Sequence, residues 1–506
     1  MAPFYSGSWQ DPKSYRALLD RVEARFDSDA RRRALEALDV PKGFDQNRLD
    51  RWVEERGFIV TTGQQPGLLG GPLYSLYKGI SAIRLAEKLE ELLDRPMLPV
   101  FWVASEDHDW AEADHSYLID TANDLVRLQV ADSGHGHRAL HRIPLGEEIV
   151  ELVEQAVSRL PETDFSRQYV DLIRAVYTPG ATLADGFTGV LSSVLAPLGM
   201  CFVDAASPAV KEFSKPLLFR ELDCAEEHEA LLREDADKLE SAGYAPQVPI
   251  LDGAVNLFLE SPEGRERIYR SGGAFELRRS RQSVTADFVR ERVEADPLTL
   301  SPNVLLRPVV ESAIFPVLSY VAGPGEVTYY AQLKRLFEAH GLMMPVIYPR
   351  HAVTVVEAKV RKKLDKFGMD LEGLQRPLHE ILSEMARDEV PDDVRRALGE
   401  LKGAVARGSA DLLKAATTID PTLKGSVTNA RNRALAAFQA AERKIVQSVK
   451  REQEVTSNQL EVAQRHLFPD GHPQERMLTP LYYLVRYGSN FVESLVEGFA
   501  VGLAEE

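Results

Sequence analysis

The sequence predicts an α/β protein: an open parallel sheet core, interrupted by a β-rich insertion and followed by an all-helical region. Three observations predict it. Short apolar runs of strand length alternate with helical patterns up to about residue 350. Glycine-rich or charged loops follow directly on those runs. From 353 to about 467 the pattern is helical throughout.

The elements follow in order. Residues 13–56 read as helices, with charges interleaved among Leu, Val and Ala. Phe58-Ile59-Val60 reads as a buried strand running into the loop Thr61-Thr62-Gly63-Gln64-Gln65-Pro66-Gly67-Leu68-Leu69-Gly70-Gly71-Pro72. A helix is expected from about Leu76 to Leu93, on the spacing of Ile80, Ile83, Leu85 and Leu89. Residues 98–104 form a second strand that stops at Ser105-Glu106-Asp107-His108-Asp109. A helix over about 182–196 precedes a strand over 200–204, and 208–242 reads as polar helix. Leu257-Phe258-Leu259 and Arg267-Ile268-Tyr269 are short strands of the insertion, with a turn at Ser271-Gly272-Gly273. A strand over 317–321, a helix over about 327–340 and a strand over 344–347 complete the core. In 422–467, Phe438, Ala441, Ile445, Val449, Leu460, Ala463 and Leu467 form a stripe with three- and four-residue steps, broken by Ser448, Glu452 and Gln459. That pattern predicts a long helical hairpin or coiled coil. Pro469 and Gly471 end it, and a last helical segment covers roughly 474–503. The expected division is a core over 1–352 with its insertion at about 245–290, a helical domain over 353–467, and C-terminal helices over 468–506 that pack back on the core.

Composition bounds the function. The chain has 506 residues, 44% hydrophobic and 27% charged, which excludes wholesale disorder. A net charge of −17 argues against a nucleic-acid partner, since phosphate binding needs clustered cations. It leaves room for a local basic pocket. The two cysteines, Cys201 and Cys224, exclude a disulfide framework and a Cys-rich zinc site, and suit a reducing compartment. The N-terminus lacks the pattern of a signal peptide, and no run of 18 apolar residues predicts a membrane span. A cytoplasmic protein is expected.

Ligands of open α/β sheets sit beyond the carboxyl ends of strands. Three segments occupy that place. In Gly63–Pro72, glycines let backbone amides approach an anion, and the following helix start favours negative charge; Gln64 and Gln65 add two-way hydrogen-bonders. The loop fits neither Gly-x-Gly-x-x-Gly nor a Walker A pattern, and a tight turn remains the alternative. In Ser105–Asp109, three carboxylates around one imidazole suit acid/base work or binding of an amino group, and would favour the imidazolium. The alternatives are a solvated loop with one capping Asp, or a metal site with His115, Glu112 and Asp114. In the third segment, Arg307 lies among apolar residues and needs an anionic partner, either a ligand or Glu311; Gly323-Pro324-Gly325-Glu326 follows. His135, His137 and His141 have metal-like spacing but sit beside Gly134 and Gly136, which mark a mobile loop. Cys201, in mid-strand, reads as an inert core thiol.

Four strings resemble one family when taken together: TTGQQPGLLGGPLYSLYKGISAIRLAEKL, PVFWVASEDHDWAEADH, SPNVLLRPVVESAIFPVLSYVAGPGEVTYYAQLKRLFEAHGLMMPVIYPR and LFPDGHPQERMLTPLYYLVRYGSNFVESL. They resemble BshC, the cysteine-adding enzymes of bacillithiol biosynthesis. The resemblance spans about residues 5–500. It implies a Rossmann-like core with inserted connective segments, similar to class I aminoacyl-tRNA synthetases, and a C-terminal coiled-coil domain that mediates homodimerisation. It also implies the addition of cysteine to glucosaminyl-malate as the reaction. Such an amide requires an activated carboxyl, normally by ATP. The His-x-Gly-His and Lys-Met-Ser-Lys-Ser signatures of class I synthetases are absent. Nor do two cysteines supply the zinc site by which the related ligase of mycothiol synthesis holds cysteine.

The residues expected to handle amines and protons are Glu106, Asp107, His108 and Asp109. Those expected to bind substrate are Gly63, Gln64, Gln65, Tyr74, Lys78, Ser105, Arg307, Glu311, Gly323, Glu326 and Arg350, with Lys78, Arg307 and Arg350 as anion clamps. His466, His472 and Arg476 form a candidate nucleotide site, with ATP or ADP as the cofactor; a helix–turn–helix link is the alternative there. No metal, nucleic acid or membrane is expected. The competing readings are another ATP-dependent carboxylate–amine ligase, or a non-catalytic coiled-coil scaffold.

Overall fold

The chain is described by a computed structural model covering residues 2–504 apart from 43, 133, 389 and 453. It divides into two compact units, one of Met1–Val353 with Glu475–Glu506 and one of Thr354–Gln474.

The first unit opens with helices Pro12–Glu23, Ser28–Glu36 and Gln46–Glu54. Asp11, Asp27 and Asp45 start them, each side chain accepting a backbone N–H of the first turn. The chain then lays down β1 (Phe58–Gln64) and β2 (Met97–Val103), the hairpin β3 (His115–Ile119) and β4 (Leu125–Gln129), and β5 (Cys201–Asp204). The insertion supplies β6 (Ala254–Ser261), β7 (Gly264–Ser271), β8 (Ala274–Leu277), β9 (Ser283–Val284) and β10 (Leu300–Pro302). The core closes with β11 (Val317–Ala322) and β12 (Val346–Pro349).

Among the described residues the core sheet has the order β12-β11-β1-β2-β5, and every pair is parallel. β1 lies in the middle. The chain winds outward through β2 and β5, then returns to β11 on the other side of β1. The strand order therefore reverses between β1 and β11, and a crevice opens beyond their carboxyl ends. Helices Leu73–Leu93 and Leu183–Leu195 bury apolar faces. The second begins with a capping box between Thr182 and Asp185.

Three sequence expectations are corrected. β1 extends through Thr61–Gln64, which read as loop. Its register with β2 runs unbroken from Phe58↔Met97 to Gln64↔Val103, so tertiary pairing overrides the local glycine signal. The insertion's sheet runs beyond 290: β10 pairs antiparallel with Leu257–Leu259, and a three-residue strand carries too little periodicity to read. The β3–β4 hairpin was not expected at all. The turn at Gly272-Gly273 holds, with φ of +55° and +86°, between paired Ser271 and Ala274.

In the second unit, helices Asp392–Ile419 and Leu423–Glu452 fold back on each other, with Lys402 paired to Glu442 at 2.7 Å. The expected stripe divides. Leu460, Ala463 and Leu467 are fully buried against Val360, Leu364 and Ile381, whereas Phe438 and Ile445 are half-buried and Ala441 is exposed. The side chains of Val449 and Glu452 lie outside the described residues. Helices Pro480–Tyr487 and Ser489–Gly498 belong to the first unit, where the Thr479 hydroxyl donates to Leu69 O at 2.6 Å. Among the described residues no helix is long and apolar enough to cross a membrane.

Candidate active site

A cleft of about 330 Å³ occupies the crevice. Gly63 is its floor: a Cβ there would stand 2.8 Å from Trp102 O, closer than any side chain fits. Lys78 reaches back from helix Leu73–Leu93 with its ammonium buried. It donates to Gly63 O at 2.6 Å and Gln64 Oε1 at 3.0 Å, and it pairs with Glu326 at 2.5 Å. Burial opposes the Glu326 anion. Lys78, the Tyr320 hydroxyl at 2.6 Å and the Gly323 N–H at 2.7 Å overcome that and hold it below the usual carboxylate range. Lys78, expected as a free anion clamp, is thus already matched by a carboxylate.

Arg307 forms the next wall. It is bonded to Glu311 at 3.2 Å and to the Tyr320 and Tyr329 hydroxyls at 3.2 and 3.1 Å. Glu311 does not line the cleft. It is buried behind Arg307, where it accepts from the Thr61 hydroxyl, and burial pushes its carboxyl up to about 7 against the pull of Arg307. The partner sought for Arg307 is therefore internal. Arg350 grips Glu475 with both terminal nitrogens, at 2.9 and 2.6 Å, and its Nε has no hydrogen-bond partner. Tyr74 lies under that guanidinium, 5.6 Å from the ring centre.

The loop after β2 is tied down residue by residue. Ser105 is buried against Asp204 rather than facing the cleft. Glu106 lines the cleft, yet its carboxylate is engaged by buried Lys211, which also donates to Leu300 O at 2.5 Å. Asp107 lines the cleft too; its Oδ1 accepts the N–H of His108 at 2.6 Å and of Asp109 at 3.3 Å. Asp109 is exposed and caps the short helix Trp110–Ala113, which is the structural alternative raised from the sequence. His108 reverses an expectation. Burial and the Arg265 guanidinium lower it to about 4 despite Asp107, so it is neutral near pH 7 and not an imidazolium. Arg265 Nη1 donates to Nδ1 at 3.3 Å, which leaves the ring proton on Nε2.

Arg265 is the residue that sequence reasoning missed. It comes from β7 of the insertion, stacks 4.1 Å from the Phe258 ring centre, and donates to Ser301 Oγ and Pro302 O at 2.8 and 2.7 Å. An arginine in a short strand carries no local signal. The segment at 135–141, read as a mobile loop, is threaded between the site and the insertion. His137 O accepts from Arg265 N at 2.8 Å, and the His137 ring meets His108 edge-on at 5.8 Å.

The glycine loop behaves as a turn beyond Gln65. Gly70 N donates to Tyr177 OH and Gly71 N to Leu68 O, at 3.2 and 3.1 Å, so those amides are not turned to a phosphate. Gln64, Gln65, Tyr74 and Arg476 line both the cleft and an adjoining cavity of about 210 Å³. The candidate nucleotide residues fall in both units. Arg476 lines the cleft, whereas His466 is buried in the second unit beside Glu357 at 3.0 Å, and His472 is exposed. His115 pairs with Asp114 at 2.9 Å; a metal grouping with Asp109 and Glu112 is not assembled among the described residues.

The profile of the bacillithiol biosynthesis BshC N-terminal Rossmann-like domain matches residues 1–351, and that of the BshC C-terminal coiled-coil domain matches 353–502. The chain belongs to the BshC family. Similar proteins include one from Salinibacter ruber, 32% identical over 98% of this chain and 91% of its own length. Another, from Desulforamulus reducens, is 31% identical over 87% of this chain and 81% of its own. Both carry the name "Putative cysteine ligase BshC". The BshC fold is thus a Rossmann-like domain followed by a coiled coil, and the strand reversal between β1 and β11 is the feature of that core that makes the cleft.

Proposed function

We propose that the chain is a ligase that joins the carboxyl of cysteine to the amine of glucosaminyl-malate, the last step of bacillithiol biosynthesis. The observation that carries this reading is the cleft itself, where Lys78, Arg265, Arg307, Arg350 and Arg476 converge beside Asp107. Malate brings two carboxylates, and guanidinium forks match carboxylates in shape and charge. Four of the five cations already hold an internal partner, so the wall is rigid before a ligand arrives, and little ordering remains to be done on binding. Asp107 is the carboxylate placed to take the proton of an attacking ammonium. Neutral His108 does not line the cleft; it bonds Arg265, which does, and so acts on the site through that guanidinium. The adjoining cavity gives room for the second substrate.

A carboxylate at neutral pH must be activated, and ATP is the proposed activator. The Gly67–Gly71 loop does not fit its phosphates, because the Gly70 and Gly71 amides are used internally. Homodimerisation through the helices of 392–452 belongs to the same proposal, supported by exposed Leu412 and Ile419. A cytoplasmic place is proposed on the free thiols Cys201 and Cys224.

The test is incubation of the purified protein with glucosaminyl-malate and cysteine, with and without ATP, and mass detection of product. Product in the ATP arm alone supports the full reading. Product in both arms removes ATP, and product in neither sinks the reaction.

A further inference from the structure

Away from the cleft, three helices bring a carboxylate and two imidazoles together out of water. Glu221 stands near the end of helix Pro208–Asp223, His228 near the start of helix Ala225–Ser241, and His340 caps helix Lys334–Ala339. Their exposures are 0%, 1% and 5%. Their donor atoms all lie within 4.8 Å of one another. His340 Nδ1 is buried with no hydrogen-bond partner, and Nε2 makes only a long contact with Glu221. A buried imidazole so poorly matched is costly unless something else satisfies it. Its Nε2 stands 3.4 Å from Glu221 Oε2. Donors at about 2.0–2.2 Å from a tetrahedral ion lie roughly 3.4 Å apart, so that spacing is the one a metal requires.

We propose that Glu221, His228 and His340 form a buried site for one zinc ion. The carboxylate is prepared for it. Glu221 Oε1 is held by the backbone and side-chain N–H groups of Asn256, at 3.3 and 2.8 Å, which leaves Oε2 turned toward the two rings. Such outer partners orient ligands at metal centres. His228 Nδ1 is 2.5 Å from Oε2, a hydrogen-bond length. Zinc displaces the proton there and opens the pair by about 1 Å. Two neutral imidazoles and one carboxylate suit zinc among biological divalent ions, and a water completes the tetrahedron. The sequence hid the site because its donors lie on separate elements, with His340 far along the chain from the other two.

The site has a structural task. It ties three helices to β6 through Asn256, and Asn256 Oδ1 in turn accepts from Asn303, a residue of the cleft wall, at 2.9 Å. It needs none of the proposed ligase chemistry, so failure of either leaves the other standing.

Metal analysis of the purified full-length chain, after dialysis to remove loose ions, tests it. About one zinc per chain is expected, falling below roughly a tenth in His340→Ala and His228→Ala, with His108→Ala unchanged. Where a variant fails to fold, cobalt added to the dialysed wild-type chain decides: visible d–d absorption that zinc abolishes supports the site. A wild-type chain with neither zinc nor cobalt bands overturns the proposal. So does a folded His340→Ala chain that keeps its zinc.

Discussion

At position 108, burial and a neighbouring cation of the cleft wall decide which form the imidazole takes. Arg265 both lowers the ring and fixes its tautomer. Replacing Arg265 by Gln should raise the His108 pKa from about 4 toward its ordinary 6.5, read from the ring proton shift in an NMR titration; an unmoved value would separate the two residues. Asp107 is the cleft-lining carboxylate of the loop that has no lysine or arginine bond among the described residues, and its Oδ1 accepts two backbone N–H groups that an amide oxygen can also accept. Asp107→Asn should therefore abolish product formation while shifting the melting temperature by only a few degrees, roughly 1 kcal/mol or less. A folded variant with full activity would remove Asp107 from the site. Glu311 gives a stability test with a definite sign. Its folded pKa of about 7 lies above the ordinary 4.5, so the buried acid's advantage is complete at low pH and is lost as pH rises to 7. Glu311→Gln should gain on the wild type between pH 5 and 8 in paired melting curves, and a constant difference would refute the raised value.

At the scale of elements, the helical unit separates core from surface. Leu460 read as part of an interhelical stripe, but it is wholly buried in its own unit with Val360 and Leu364. Leu460→Asp should unfold that unit, at a cost of about 3–5 kcal/mol, and be seen as lost helical circular dichroism. Leu412 is 55% exposed, so Leu412→Asp should leave the helices intact and act on self-association instead. Sedimentation of that variant at unchanged mass, beside a dimeric wild type, would rule out this face of the hairpin as the interface. Strands show the same division between local and distant causes. β1 and β2 were legible from their apolar runs; β10 was not, because three residues are held only by pairing with β6.

For the whole molecule, an acidic chain of net charge −17 carries a cleft rich in arginine. Overall charge does not describe the site, which depends on charges collected from distant parts of the chain. Gly63, Gln64, Lys78, Asp107, Arg307 and Arg350, which all line the cleft, were legible because each lies at or just beyond the carboxyl end of a strand or in the helix near it, within one recognisable string. Arg265 was not, lying 157 residues from the His108 it contacts. Nor was the grouping of Glu221 with His228 and His340. The sequence by itself determined the alternation of strands and helices, the breaks at their ends and the family, since periodicity, caps and turns act between near neighbours. Only the tertiary structure decided where the strand order reverses and which charge meets which: Lys78 with Glu326, Glu106 with Lys211, Arg350 with Glu475. Those pairings set protonation and rigidity because desolvation and Coulomb attraction depend on separation in space, and separation along the chain does not fix it.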